Sequence, residues 1–365
     1  MLLDHLGRCL CCYTNLMGGQ MSVPLTDLSG RVAIVTGGNT GIGYETAKAL
    51  AKMGAHTIIA CRTESKATEA IQRMRTEVEV ESPGKQLNVE YMSLDLASLQ
   101  ATREFAAAFK ERHLPLHILV NNAGIAFVPF AKTADGYEMQ YQVNYLGHFL
   151  LTLELLPVIM ETARSHGDVR IVNVSSAAHK WGTLNPSNMN GEASYSRWSF
   201  YGNSKLYIIM SSYALQRRLI GAGVTVSSVH PGSVGTEVGR GISDSKLLSW
   251  TWFALSHFNK SPERGAFSSI NCAANPSLNS RQAFYYDSGG NQVEPSNMAR
   301  DESLQEQLWE ISVNILRTYL SPEVLERYEE ANRGSTQSAT VEGRHNGSEV
   351  EQARAAEQTE QTVTN

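Results

Sequence analysis

The segment Tyr201-Gly202-Asn203-Ser204-Lys205 holds a phenol and an ammonium four residues apart, a spacing that puts both on one face of a helix. A tyrosine with its ordinary pKa of about 10 is a poor base at neutral pH. A neighbouring ammonium favours the phenolate and lowers that value. Such a pair could take a proton from an alcohol or return one to a carbonyl oxygen. Taken alone it is also what a solvated helix surface looks like, so its meaning depends on its surroundings. Two further groups bear on it. Ser175-Ser176 ends an apolar run, Val169–Val174, where a hydroxyl could hold a substrate oxygen as charge develops or simply cap a turn. Asn144 is a polar residue in a helical stretch of apolar neighbours. It needs a partner, and could support a water-linked proton path to Lys205 or satisfy a helix irregularity.

The elements that position these residues read as alternating strands and helices. Strands are expected at Arg31–Thr36, Thr57–Ala60, Val89–Ser93, Ile118–Asn121, Val169–Val174, Val224–Val229 and Ala283–Tyr286. Amphipathic stretches of helical length lie between most of them: Ile42–Met53, Glu64–Glu77, Leu99–Arg112, Gly136–Glu161, Phe200–Leu219 and Glu263–Ala274. That alternation implies a doubly wound α/β fold, Rossmann-like, with a parallel sheet covered on both faces. His179–Trp198, rich in Asn, Ser and Gly, is expected to be a loop, and Thr236–Ser261 a small substrate lid.

The turn after the first strand, Thr36-Gly-Gly-Asn-Thr-Gly-Ile-Gly43, opens the first helix with Gly37, Gly41 and Gly43 in GxxxGxG spacing. One glycine permits the turn, one lets backbone approach a pyrophosphate, and one lets helix and strand pack closely. Gly37, Asn39, Thr40, Gly41, Ile42 and Gly43 are therefore candidate dinucleotide contacts, with helix-start N–H groups facing the anion. Arg62, after the second strand, could pair with a ribose 2′-phosphate where a carboxylate would repel it, or be a solvated arginine beside Glu64. It favours NADP(H) over the alternative, NAD(H). Asp95 could hold the adenine edge or cap the helix from Ala97. Asn121-Asn122-Ala123-Gly124 ends the fourth strand with small residues that would let the chain pass close to a ribose.

The ordered set TGGNTGIG, NNAG, NYLGHF, IVNVSS, YGNSK and HPG resembles the short-chain dehydrogenase/reductase family over about Leu28 to Leu320. The resemblance implies a catalytic tetrad of Asn144, Ser176, Tyr201 and Lys205, with Ser176 chosen over Ser175 because the second position matches the family pattern. It also implies that His230-Pro231-Gly232 and Ser233 to Thr236, including Val234, line the nicotinamide side, with Thr236 a ligand for the carboxamide. ACR after the second strand, the long segment from Ser176 to Tyr201 and the SPERGAFSSINCA helix resemble the retinol-dehydrogenase-like branch, in which polyprenol or dolichal chemistry is also represented. The implied substrate is a lipophilic alcohol or carbonyl compound: a retinoid, a prenol or a steroid. Trp250, Trp252, Phe253 and Phe258 are candidate lid residues or core. A different class, a dinucleotide-binding regulatory protein without catalysis, is opposed by the complete Tyr/Lys/Ser/Asn set.

Composition bounds the rest. The 365 residues are 42% hydrophobic with a net charge of −5, which gives no general reason to expect nucleic-acid binding. No apolar run is long enough to suggest a transmembrane helix; Leu247–Phe258 is too short, leaving room for peripheral membrane contact and a cytoplasmic location. The five cysteines, Cys9, Cys11, Cys12, Cys61 and Cys272, lack disulfide or zinc spacing and read as reduced thiols. The first three could be acylated or belong to a flexible end. Residues 1–27 read as an extension, 28–320 as the dehydrogenase domain, and 321–365 as a helical remnant with a polar tail. Self-association is left open.

Overall fold

Val32–Thr36 (β1) is buried along its whole length, as expected of a strand covered by helices on both faces. The computed structural model describes residues 26–232, 261–278 and 285–329. The expected lid, with Trp250, Trp252, Phe253 and Phe258, lies outside the described residues, as do Val234, Thr236, the cluster at Cys9, Cys11 and Cys12, and the polar tail. After β1 come Gly41–Lys52 (α1), His56–Cys61 (β2), Glu64–Glu81 (α2), Val89–Ser93 (β3), Leu99–Glu111 (α3) and Ile118–Asn121 (β4). The helical stretch Met139–His166 (α4) follows, then Val169–Val174 (β5), Arg197–Arg218 (α5), Val224–Val229 (β6), Pro262–Ala274 (α6) and Tyr285–Tyr286 (β7). Asn297–Arg300 (α7) and Glu302–Leu316 (α8) complete the set.

The seven strands are parallel and ordered β3-β2-β1-β4-β5-β6-β7. β1 is flanked by β2, to which the chain proceeds directly, and by β4, reached only after β2 and β3 are laid down on the far side. The sheet thus changes direction between β1 and β4, and ligands of open α/β sheets bind at the carboxyl ends of the strands at such a point. Thr36 and Asn121 end the two strands there, with Val35 opposite Val120.

Three local departures from the sequence reading matter. His179–Trp198 is not simply a loop: 3₁₀ turns occupy Ala177–Trp181 and Pro186–Asn188, and α5 starts at Arg197, capped by Ser196. α4 is long and apolar enough to cross a membrane by length and composition, yet 78% of its apolar window is buried inside the protein, which makes it a core helix. α8, absent from the sequence reading, lies over α4 and α5. Trp309 meets Phe149 at 4.9 Å between ring centroids and carries the Arg218 guanidinium 4.2 Å from its own. Cys61 and Cys272 are free, buried thiols. The chain divides between Tyr319 and Leu320 into two compact units; in the second, residues 322–329 are helical.

Two buried histidines make this fold acid-sensitive. His117 accepts the Val32 N–H at Nδ1, 3.0 Å away, and His148 is held within α4. Burial pushes each down to about 4 from the ordinary 6.5. An unfolded chain takes up protons on these rings between those values while the folded chain does not. Their contribution to stability is therefore whole above about 6.5 and is lost as pH falls towards 4. Thermal scans should show the melting temperature falling already between pH 6.5 and 5. In His117→Asn, which keeps an acceptor for Val32 but cannot be protonated in this range, the fall should be shallower. An equally steep fall in that variant would remove His117 from the account.

Candidate active site

At the mouth of β1 the backbone turns through Gly37 (φ 65°) and Gly41 (φ 56°), both in the left-handed region that favours glycine. Gly43 is required by space: a Cβ there would lie 2.3 Å from the Gly37 carbonyl oxygen and 2.4 Å from Asn122 Nδ2. The helix α1 then begins after Thr40, whose side chain makes no cap, and its first turn holds no acid. Its opening N–H groups are thus left to face an anion. Asn39, Thr40 and Ile42 are part-buried on this turn, and Asn122 Nδ2 donates to the Thr36 carbonyl at 2.8 Å, drawing the β4 loop against it. A glycine turn closed to side chains, followed by an uncapped helix start, fits the pyrophosphate of a dinucleotide.

Arg62 is exposed one residue beyond β2. Its strand neighbour Ala60 is opposite Thr36 and accepts the Gly37 N–H at 2.8 Å, so Arg62 lies on the glycine turn's edge of the sheet. Among the described residues it makes no ion pair. Asp95 uses its carboxylate inside its own turn, accepting from Ala97 N–H at 3.0 Å. The cap of α3 is Ser98, which accepts from Ala101 N–H at 3.1 Å, so α3 starts at Leu99 as expected and Asp95 is not its cap.

The chemistry-bearing side chains come from three elements. α4 is not regular: Gln142–Leu146 form a π turn of the kind that recurs at functional sites, with Asn144 inside it. Asn144 Oδ1 accepts the Ile125 N–H at 2.8 Å. Its Nδ2 donates to the Ile125 carbonyl at 2.9 Å and to Ser204 Oγ at 3.0 Å. Ser204 in turn donates to the Tyr201 carbonyl at 2.8 Å. Asn144 therefore pins the loop after Gly124 to the helix that carries Tyr201 and Lys205. Lys205 Nζ donates to the Val174 carbonyl at 3.0 Å and stands 5.7 Å from the centre of the Tyr201 ring. The position a Cβ on Gly124 would take is 3.2 Å from Asn144 Oδ1 and 3.5 Å from Lys205 Nζ, so the backbone passes close to both groups and an added side chain would press on Asn144.

The two serines after β5 part company. Ser175 donates to the Lys205 carbonyl at 2.7 Å and is buried. Ser176 caps the following 3₁₀ turn through Ala178 N–H at 3.2 Å. His230-Pro231-Gly232 follows β6 at this edge; His230 N–H donates to the Tyr286 carbonyl at 3.0 Å, and Gly232 has φ 82°.

The electrostatics differ from the sequence expectation in one respect. Burial raises the Tyr201 phenol above its ordinary value, and the group that opposes the rise is Ser176, by hydrogen bonding, rather than Lys205. Burial also brings Lys205 down to about 8. Near neutral pH Lys205 remains predominantly a cation, and Tyr201 a protonated phenol.

Several participants carry no clear sequence signal. Phe127 has φ 58°, a backbone conformation that is an outlier for a bulky residue. Its N–H donates to Gln140 Oε1 at 2.8 Å, and the fully buried Gln140 is fixed by Tyr195 Oη and the Arg197 carbonyl at 2.9 and 3.1 Å. The result is a Phe127 ring 4.8 Å from that of Tyr201 and 4.1 Å from that of Trp198, itself 45% exposed. An apolar wall thus adjoins the phenol. Thr36 and His148 form a second buried group: the Thr36 hydroxyl accepts from Asn122 N–H and Ala123 N–H, each at 2.9 Å, and lies 2.9 Å from His148 Nε2.

The chain is similar to known proteins in sequence and in fold. The pattern of the short chain dehydrogenase family matches residues 31–247. Human retinol dehydrogenase 11 is 41% identical over 302 residues, covering 83% of this chain and 91% of that protein. Human polyprenol dehydrogenase is 39% identical over 301 residues, 80% and 87% of the two chains. Among solved structures, an uncharacterised Mycobacterium paratuberculosis protein superposes with a TM-score of 0.63 at 31% identity, covering 80% of this chain and 96% of that one. An NADP active-site complex of RhlG from Pseudomonas aeruginosa superposes with a TM-score of 0.56 at 25% identity, over 73% and 98%.

Proposed function

The chain belongs to the short-chain dehydrogenase family and is an oxidoreductase acting on CH–OH groups, and on that premise we propose that it uses NADP(H) to interconvert a lipophilic alcohol and its carbonyl compound at Tyr201. The reading is carried by the connection of Asn144, Ser204, Tyr201 and Lys205 through hydrogen bonds and ring contact beside Gly124. A bound nicotinamide supplies hydride to the substrate carbon, or takes it away. Tyr201 gives its phenolic proton to the substrate oxygen in the reductive direction and recovers it in the oxidative one. Ser176 holds that oxygen while charge develops. Lys205 supplies positive charge beside the phenolate that forms and would hold a ribose hydroxyl of the cofactor; Asn144 keeps the Gly124 loop and α5 in register.

Gly37, Asn39, Thr40, Gly41, Ile42 and Gly43 would hold the pyrophosphate, Asn122, Ala123 and Gly124 the ribose, and Asp95 the adenine edge through its neighbouring backbone. Pro231, Gly232, Val234 and Thr236 complete the nicotinamide side in this proposal. Residues 28–320 form the dehydrogenase domain. The lipophilic character of the substrate is supported by the Phe127–Trp198 wall and by the names of the relatives, and we place the enzyme on the cytoplasmic side of a membrane that supplies it.

Arg62 supports NADP(H) because a guanidinium pairs with a 2′-phosphate, which a carboxylate would repel. The purified protein, assayed with NADPH and NADH against retinaldehyde and a long-chain polyprenal, should turn over both with a preference for NADPH. Arg62→Ala should erode that preference by about tenfold, the scale of one charge-assisted hydrogen-bonded pair, mainly through KM for the cofactor. Tight NADPH binding without oxidation across such carbonyl substrates would point instead to a regulatory dinucleotide-binding protein. An unchanged preference in Arg62→Ala would withdraw that residue's role.

A further inference from the structure

We propose that His148 is a positioning residue that couples the dinucleotide-binding loop to the catalytic asparagine. The proposal rests on the site reading given above. His148 is 5% exposed and lies one helical turn beyond Asn144, within the regular part of α4 that follows the π turn. Its Nδ1 is 3.0 Å from the Asn144 carbonyl oxygen, and its Nε2 is 2.9 Å from Thr36 Oγ1.

The directions of these bonds are fixed by chemistry. A carbonyl oxygen only accepts, so Nδ1 carries the proton. The neutral ring then has an acceptor at Nε2, and the Thr36 hydroxyl donates to it at 2.9 Å in preference to the more distant Val120 carbonyl at 3.4 Å. The same hydroxyl receives the N–H groups of Asn122 and Ala123, which uses both its lone pairs. One directed chain therefore runs from the Asn122-Ala123 backbone through Thr36 and His148 to the backbone of Asn144. The Asn144 side chain continues it, through Ser204, to Tyr201. Its first link is the loop against the glycine turn; its last is the helix with the phenol and the ammonium. No other residue type of similar size offers a donor and an acceptor on opposite edges of one rigid ring.

The tautomer is stable over the working range. Burial, with the nearby Lys205 cation, holds His148 down to about 4, so the ring remains neutral well below physiological pH. A protonated ring would present a donor to the Thr36 hydroxyl, whose lone pairs are occupied, and break the chain in the middle.

Two replacements separate the ends of the chain. His148→Gln can put its carboxamide oxygen near the position of Nε2, keeping an acceptor for Thr36 and losing the donor to Asn144. His148→Asn can put its carboxamide nitrogen near Nδ1, keeping that donor and losing the Thr36 acceptor. With calorimetry for NADPH binding and steady-state kinetics for turnover, His148→Gln should hold the NADPH Kd and lose about tenfold in kcat. His148→Asn should hold kcat and weaken NADPH binding by about tenfold. Each change is on the scale of one lost buried hydrogen bond, and His148→Leu should show both.

A histidine that only fills the core predicts something different. The Gln and Asn variants would then change together, following their melting temperatures, or a folded His148→Leu would keep both constants; either result overturns the proposal. Absence of NADPH binding by the unsubstituted protein would overturn the site reading and this proposal together. Normal wild-type binding and turnover with unsplit variants would overturn this proposal alone.

Discussion

Tyr201→Phe is expected to lower turnover by about 10²–10⁴-fold, the range over which a positioned proton donor or acceptor contributes, while leaving NADPH affinity essentially unchanged. The substitution removes one oxygen and keeps the ring that packs on Phe127. Lys205 keeps its bond to the Val174 carbonyl, and Ser204, which accepts from Asn144, donates to the carbonyl of residue 201, not to its phenol. Stability should move little. Burial raises the Tyr201 phenol, so oxidation, which needs a proton acceptor, should accelerate with rising pH. Reduction, which needs the proton, should hold its rate across neutral pH. Parallel assays in both directions read this sign directly. Turnover close to wild type in Tyr201→Phe would sink the proposed mechanism whatever else the site binds.

The second large effect is expected from Gly43→Ala. The added methyl would lie 2.3 Å from a backbone oxygen of the glycine turn and 2.4 Å from the Asn122 amide. The Asn122 side chain can swing away only by giving up its bond to the Thr36 carbonyl, and the Gly37 carbonyl can yield only by reshaping the turn. Overpacking of this kind costs about 1–3 kcal/mol, so the melting temperature should fall by several degrees. Dinucleotide binding should fall further than stability does, because the displaced atoms belong to the binding turn itself. Calorimetry showing affinity within a few-fold of wild type would mean that the turn is not where the pyrophosphate rests.

How much of this was legible beforehand depends on the range over which each feature is set. β3, β4, β5 and β6 have the limits expected from the sequence, because a short apolar run between turn residues is a local signal. The glycine turn is equally legible, since its spacing and left-handed backbone lie within eight residues, although Asn122 closes it from a distance. α8 also carries a local signal: Leu308, Trp309, Val313 and Leu316 are buried at helical spacing. The 3₁₀ turns after Ser176 were hidden because Asn-, Ser- and Gly-rich composition is shared by loops and by tight helical turns; what holds this stretch is Gly182 against Gly202, a contact between different elements. Phe127 had no local signal whatever, because its left-handed backbone is set by Gln140 and, through it, by Tyr195. The Thr36–His148 bond spans 112 positions, and no periodicity reports on a pairing of that separation. The pKa of Tyr201 was misjudged for a related reason: adjacency on a helix suggested the ammonium, whereas burial by distant elements is the larger effect.

The strand order also has a consequence for how the chain is made. β1 finds its partner β2 almost at once, but its other edge waits for β4, which pairs Ile118 with Ala33 about 85 residues later. At roughly 5–20 residues per second of synthesis, the nascent chain carries β1 for several seconds with a row of unpaired peptide groups and two greasy faces. An open apolar edge of that kind invites pairing with the wrong strand. The strand that leads into the glycine turn is thus left with one edge open during synthesis until Ile118–Asn121 is available to close beside it.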